Sequence, residues 1–176
     1  MQRPTSVLVL GVLNLVFGVI GVLGMFGSAA ILLGMNPSNP MNRILESSDF
    51  YRYYLWGSFV LGLFAVIVLL AAGVGLVMSK AWARPAAIGY GIYAIAMGLV
   101  GQIVNAVFVV GPLLNMASAG GGPENIGAAA GAIGGTLGGC VGLVYPVVLL
   151  VFMFRKNVVE FFQSSRTPNP STSAAL

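Results

Sequence analysis

Four apolar runs, residues 6–27, 55–78, 86–110 and 134–154, contain no Asp, Glu, Lys, Arg or His. Each meets the roughly 20 residues that a helix needs, at ~1.5 Å rise, to cross a ~30 Å hydrocarbon core. Lipid offers backbone amides no partner, so runs of this length predict helices that satisfy their own hydrogen bonds. The expected fold is all-α: an integral membrane four-helix bundle. Residues 1–163 form the bundle, with an outer loop at 36–54 and a juxtamembrane helix at 155–163, and residues 164–176 read as a disordered cytoplasmic tail rich in Ser, Thr and Pro.

Charge orients the bundle. Arg3, Lys80, Arg84, Arg155, Lys156 and Arg166, with Glu160, flank the spans on one side; Arg43, Arg52, Glu46, Asp49 and Glu124 lie on the other. The positive-inside bias predicts an N-in, C-in protein of the plasma (inner) membrane with both termini cytoplasmic. The pI near 9.6 then reports topology, and no nucleic-acid partner is expected. Arg3, the apolar run behind it and Ser28-Ala29-Ala30 have the outline of a signal peptide, but the run exceeds a 7–15 residue h-region and is read as a retained span.

The same composition excludes much chemistry. With no histidine in the chain, His-based general bases, Ser-His triads and His-ligated metals are ruled out. The lone Cys140 sits in an apolar run, where a thiol is a small packing residue. Four acids, none inside a span, leave few ways to build an acid/base pair. No enzyme activity, metal or cofactor is expected.

Helix signals extend two spans beyond the membrane. Thr5 or Ser6 can cap the first helix and no stop appears before Asn36-Pro37, which gives a helix of ~46 Å at 1.5 Å per residue. Gly122-Pro123-Glu124 reads as the start of a fourth helix of ~48 Å. Both are expected to project past the outer face and to pack there. In the outer loop, Asn39-Pro40 can start a short helix, and Arg43 with Glu46 and Asp49 with Arg52 are opposite charges at i,i+3. Tyr51, Tyr53, Tyr54 and Trp56, with Trp82 in the opposite turn, are expected to form an interface belt. Residues 112–122 read as a mobile loop, and Val158, Val159, Phe161 and Phe162 beside Arg155, Lys156 and Glu160 suit a helix on the inner leaflet.

Glycine spacing is the strongest motif. Gly127, Gly131, Gly135 and Gly139 form one row of the fourth helix and Gly134, Gly138 and Gly142 a second, while Gly11, Gly18 and Gly21 form a seam on the first. Small residues at such spacing let backbones approach closely where lipid supplies little hydrophobic drive. Asn14 lies in that seam, and depth counting sets it level with Pro146, which leaves the Gly142 carbonyl without a donor. That carbonyl, Tyr93 and Tyr145 are its candidate partners. Gln102 and Asn105 in the third span reach the depth of Thr136 in the fourth, which predicts a polar cluster at the outer rim.

Arg3-Pro4-Thr5-Ser6-Val7 followed by Gly11 and Gly18, the turn Ala81-Trp82-Ala83-Arg84-Pro85, and Asn157-Val158-Val159-Glu160-Phe161-Phe162 give the chain a layout that resembles small bacterial four-span proteins of unassigned function. The span count is also similar to claudins and tetraspanins, but the outer loops lack the cysteines that hold those extracellular folds. Neither resemblance implies a catalytic residue. The expected function is that of a non-catalytic membrane structural or accessory protein, working by glycine-mediated packing as a homo-oligomer or a subunit of a larger complex surrounded by membrane lipid. The alternative is binding or transport of a lipid or small ligand at the outer polar rim.

Overall fold

The computed structural model describes residues 5–34, 40–118 and 123–164, and among these every regular element is helical. The chain runs through α1 (Thr5–Leu32), α2 (Pro40–Ser47), α3 (Asp49–Val77), α4 (Ala83–Asn105), a π turn (Ala106–Val110), α5 (Gly111–Ser118), α6 (Pro123–Gly142), α7 (Val144–Met153) and α8 (Lys156–Ser164). Four stretches are long and apolar enough to cross a membrane: Thr5–Leu32, Asp49–Val77, Ala83–Asn115 and Ile126–Met153. Large apolar side chains such as Leu23, Phe26, Phe64 and Val141 point outward. On a soluble protein so much exposed apolar surface would drive aggregation, whereas in lipid it is the ordinary exterior.

Local chemistry sets the helix ends. Ser48 caps α3, its Oγ accepting the Tyr51 amide at 3.3 Å, and Asp49 adds a carboxylate to the first turn and pairs with Arg52 at 3.2 Å. At the other end of α3, Ser79 adopts φ +56°, its amide bonds Leu76 O, and the Lys80 amide bonds Gly75 O at 2.8 Å. This double return is the Schellman closure of a helix, made here without the usual glycine. The Arg43–Glu46 pair, the Asn36-Pro37 stop, Gly122 and the tail from residue 165 lie outside the described side chains and residues.

Prolines interrupt two of the long helices. Pro146 has no N–H for the Gly142 carbonyl, and the fourth span is broken there into α6 and α7, with the Val147 amide stretched to 3.4 Å from Leu143 O. Ahead of Pro112 the chain widens into the π turn, where the Gly111 amide reaches back to Ala106 O. That extra residue lets the helix accommodate Pro112 and continue to Ser118. The loop expected over residues 112–122 is therefore helical through Ser118.

Packing is tightest between α1 and α3. A Cβ added at Gly11 would lie 3.2 Å from the Gly73 carbonyl, and one at Gly73 would lie 3.1 Å from the Gly11 carbonyl. The two backbones thus meet glycine to glycine. Further along, Leu70 fills the space over Gly18 and Val66 that over Gly21. α4 in turn lies along α7, with Leu150 over Gly91.

Two cores result. At the end carrying the termini, Val7, Leu10, Ala72, Leu76, Ala87, Leu149 and Met153 join side chains from all four spans, closed by Val158 and Phe162 of α8. At the α2 end, Ile44, Leu45, Tyr51, Val109, Leu113 and Ala129 form the second. Tyr51 is only 5% exposed, stacked on Phe108 at 5.9 Å between ring centroids. It is a core residue and departs from the expected belt, as does the half-buried Tyr54, while Tyr53, Trp56 and Trp82 are exposed.

Candidate functional site

Three polar ties hold the helices to one another. Asn14 is completely buried because it sits on the α1 face between Gly11 and Gly18, where the close approach to α3 shuts out solvent and lipid. The Tyr145 hydroxyl donates to its Oδ1, and the Tyr145 ring packs on Phe17 at 4.3 Å. These contacts bring α1 to α7 near the middle of the bundle. Of the three partners considered for Asn14, the structure selects Tyr145. The Asn14 Nδ2 group makes no hydrogen bond among the described residues.

Between α4 and α6, Gln102 Nε2 donates to the Thr136 carbonyl at 3.0 Å and Asn105 Nδ2 to Thr136 Oγ1 at 2.8 Å. Thr136 Oγ1 in turn donates to Ala132 O at 2.9 Å. The three residues named from depth alone are therefore brought together, and both amides direct their donors within the chain. Cys140 stands beside the cluster, 3.7 Å from Gln102 Nε2. A third tie was not foreseen: Arg84 Nε donates to Met153 O at 3.2 Å, so a cation from the start of α4 satisfies a carbonyl at the end of α7. Its signal was an Arg one residue into a helix whose partner helix ends in unpaired carbonyls, a pairing no linear motif reveals.

The Asn14–Tyr145 tie should be strongly coupled. Replacing Tyr145 by Phe leaves the buried Asn14 amide with no partner, at a cost of about 1–3 kcal/mol, and replacing Asn14 by Leu leaves a half-buried phenol without its acceptor, at a smaller cost. Removing both groups together should recover much of that loss. A double-mutant cycle on unfolding in detergent is expected to give a coupling of roughly 0.6–2 kcal/mol; strictly additive losses would mean the hydrogen bond contributes nothing.

The glycines divide into two classes. Gly11, Gly18 and Gly21 face α3, and Gly139 faces Gln102. A Cβ on Gly127, Gly131, Gly134, Gly135, Gly138 or Gly142 would meet nothing within 4 Å, and the same holds for Gly24 and Gly27 of α1. The expectation that the ends of the first and fourth spans zip together through glycine is thus corrected. In that region Ile31 and Leu32 of α1 and Ala128 and Ala132 of α6 pack against the second core, which includes Ala129. At 100° per residue the six open glycines share one ~100° face of α6, turned away from the side that carries Ala129, Ala132 and Thr136, and the face runs for ~22 Å. Gly73 and Gly75, which receive α1 and the Trp82–Ala83 turn, were missed; the Ala71-Ala72-Gly73-Val74-Gly75 cluster was their signal.

Compared with known proteins, the chain matches no family model, no curated protein and no solved structure.

Proposed function

We propose that this protein is a non-catalytic structural or accessory component of the plasma (inner) membrane that assembles through the open glycine face of α6, in the simplest case with a second copy of itself. The observation that carries this reading is the unused face: six glycines in one direction, with no described residue within 4 Å of an added Cβ at any of them. Glycine costs a helix about 1 kcal/mol per residue relative to alanine. A close helix–helix contact across that face would offset this cost, and small residues are what such a contact needs. The polar groups argue the same way. The Gln102, Asn105 and Thr136 donors cross-link α4 to α6, which favours a role in stiffening the assembly helix over a ligand site at that rim.

A chain with Cys140→Ser and Gly138→Cys, oxidised mildly in native membranes, should form a disulfide-linked dimer, and the control Cys140→Ser with Phe64→Cys, exposed on α3, should not. Equal cross-linking from both positions would mark random collision and remove the support for a specific face.

The N-in, C-in topology belongs to the same reading, with the first and fourth spans reaching past the outer face. Six cations and one acid flank the spans on the terminal side, against two cations and three acids on the other. An impermeant thiol reagent applied outside intact cells should label a cysteine at Ser47 and spare one at Ser173. The opposite pattern would invert the molecule.

A further inference from the structure

The α1–α3 pair parts toward the α2 end. Beyond Gly21 no α3 side chain covers α1 at Gly24 or Gly27, and Gly57 and Gly62 of α3 are equally open. The result is a cleft of about 380 Å³ that runs from Gly21 to Leu32 on α1 and from Tyr51 to Gly62 on α3. Its 11-residue reach along α1 is ~16 Å at 1.5 Å per residue, about half of a ~30 Å hydrocarbon core and thus one leaflet deep. The walls are apolar except for Ser28 and Ser58. Ser28 donates to Gly24 O at 3.2 Å. The Ser58 hydroxyl is buried with no hydrogen-bond partner among the described residues, so the cleft surface it leaves is apolar.

Ile31 and Leu32 also border a second, polar cleft of about 300 Å³, lined further by Glu46, Arg52 and Trp56. An apolar slot one leaflet deep thus opens beside a mouth carrying one cation and one acid. We propose that this composite site holds a single amine-bearing zwitterionic phospholipid, with an acyl chain in the α1–α3 cleft and its headgroup between Arg52 and Glu46. The Arg52 guanidinium presents the fork of donors that suits a phosphate. The Glu46 carboxylate accepts hydrogen bonds from a primary ammonium, which a trimethylated one cannot donate. Trp56 is the kind of side chain that sits at headgroup level. Asp49 already pairs with Arg52, so among the described side chains at the mouth the acids outnumber the cation, which works against a purely anionic lipid. The site lies on α1, α2 and α3, shares no residue with the α6 glycine face, and does not depend on assembly.

The full chain, reconstituted in nanodiscs with equimolar phosphatidylethanolamine, phosphatidylcholine and phosphatidylglycerol and then analysed by native mass spectrometry, should retain one phosphatidylethanolamine per chain, with about tenfold preference over each of the other two lipids. Gly24→Leu with Gly62→Leu should abolish retention while preserving the unfolding temperature, because both positions face open space. Glu46→Gln, at an exposed side chain, should erase the preference over phosphatidylcholine while a lipid is still retained. Equal retention of all three lipids by the unsubstituted chain, preference for phosphatidylglycerol, no retained lipid, retention unchanged by the double leucine variant, or an undiminished preference over phosphatidylcholine in Glu46→Gln would each overturn the proposal.

Discussion

Gly11→Leu should destabilise the bundle by on the order of 3 kcal/mol or prevent its folding. Even a bare Cβ at this position would stand 2.9 Å from Val77 Cγ2, 3.0 Å from the Val77 backbone nitrogen and 3.2 Å from the Gly73 carbonyl. Two of those three neighbours are backbone atoms, which cannot rotate away, so a leucine must drive α1 off α3. Asn14 would leave its buried position with them, exposing a polar amide to lipid. Gly27→Leu supplies the control, since nothing lies within 4 Å of its added Cβ. Unfolding followed by circular dichroism in mild detergent should show a large fall in midpoint for the first variant and little change for the second. Equal midpoints would show that the α1–α3 contact is not the stabilising seam.

Leucine at both Gly135 and Gly138 should have the reverse profile: intact monomer, lost assembly. No described residue lies within 4 Å of an added Cβ at either position, and replacing glycine by leucine removes a helix-propensity penalty of somewhat under ~1 kcal/mol at each site. The isolated chain should therefore be as stable as before, or slightly more so. Across a helix–helix contact the same side chains would hold the backbones several ångströms apart and forfeit the close packing that drives association in lipid. Size-exclusion chromatography and circular dichroism on one sample separate the effects: helicity retained, particle reduced. A variant that keeps its particle size would place assembly elsewhere or remove it from the account.

Much of the architecture was legible because lipid reduces the choices. A run of 21 or more uncharged apolar residues has few fates other than a helix, and depth counting then matches polar residues across helices whose rise is known. Gln102, Asn105 and Thr136 were grouped that way, and Tyr145 was among the partners counted for Asn14. What the residues did not reveal is direction. A row of small side chains permits close approach but does not name the neighbour, so Gly73 went unnoticed as the counterpart of Gly11, and the outer end of α6 was expected to meet α1 through glycines that make no such contact. Pro112 misled for a local reason: its missing N–H and ring demand one extra residue in the turn, and the π turn at Ala106–Val110 supplies it. Tyr51 misled for a tertiary one. The helix α2 places Ile44 and Leu45 in the core that encloses Tyr51, and that return could not be inferred from an aromatic cluster beside a span.

The central claim, that the chain acts as part of an assembly built on the α6 glycine face, is tested most directly by the mass of the particle extracted from native membranes without delipidation. The account predicts a multiple of the 18.2 kDa chain, or a stable complex containing it, that falls to one chain when Gly135 and Gly138 are leucine. A particle holding one 18.2 kDa chain and no other protein, before any substitution, would contradict it.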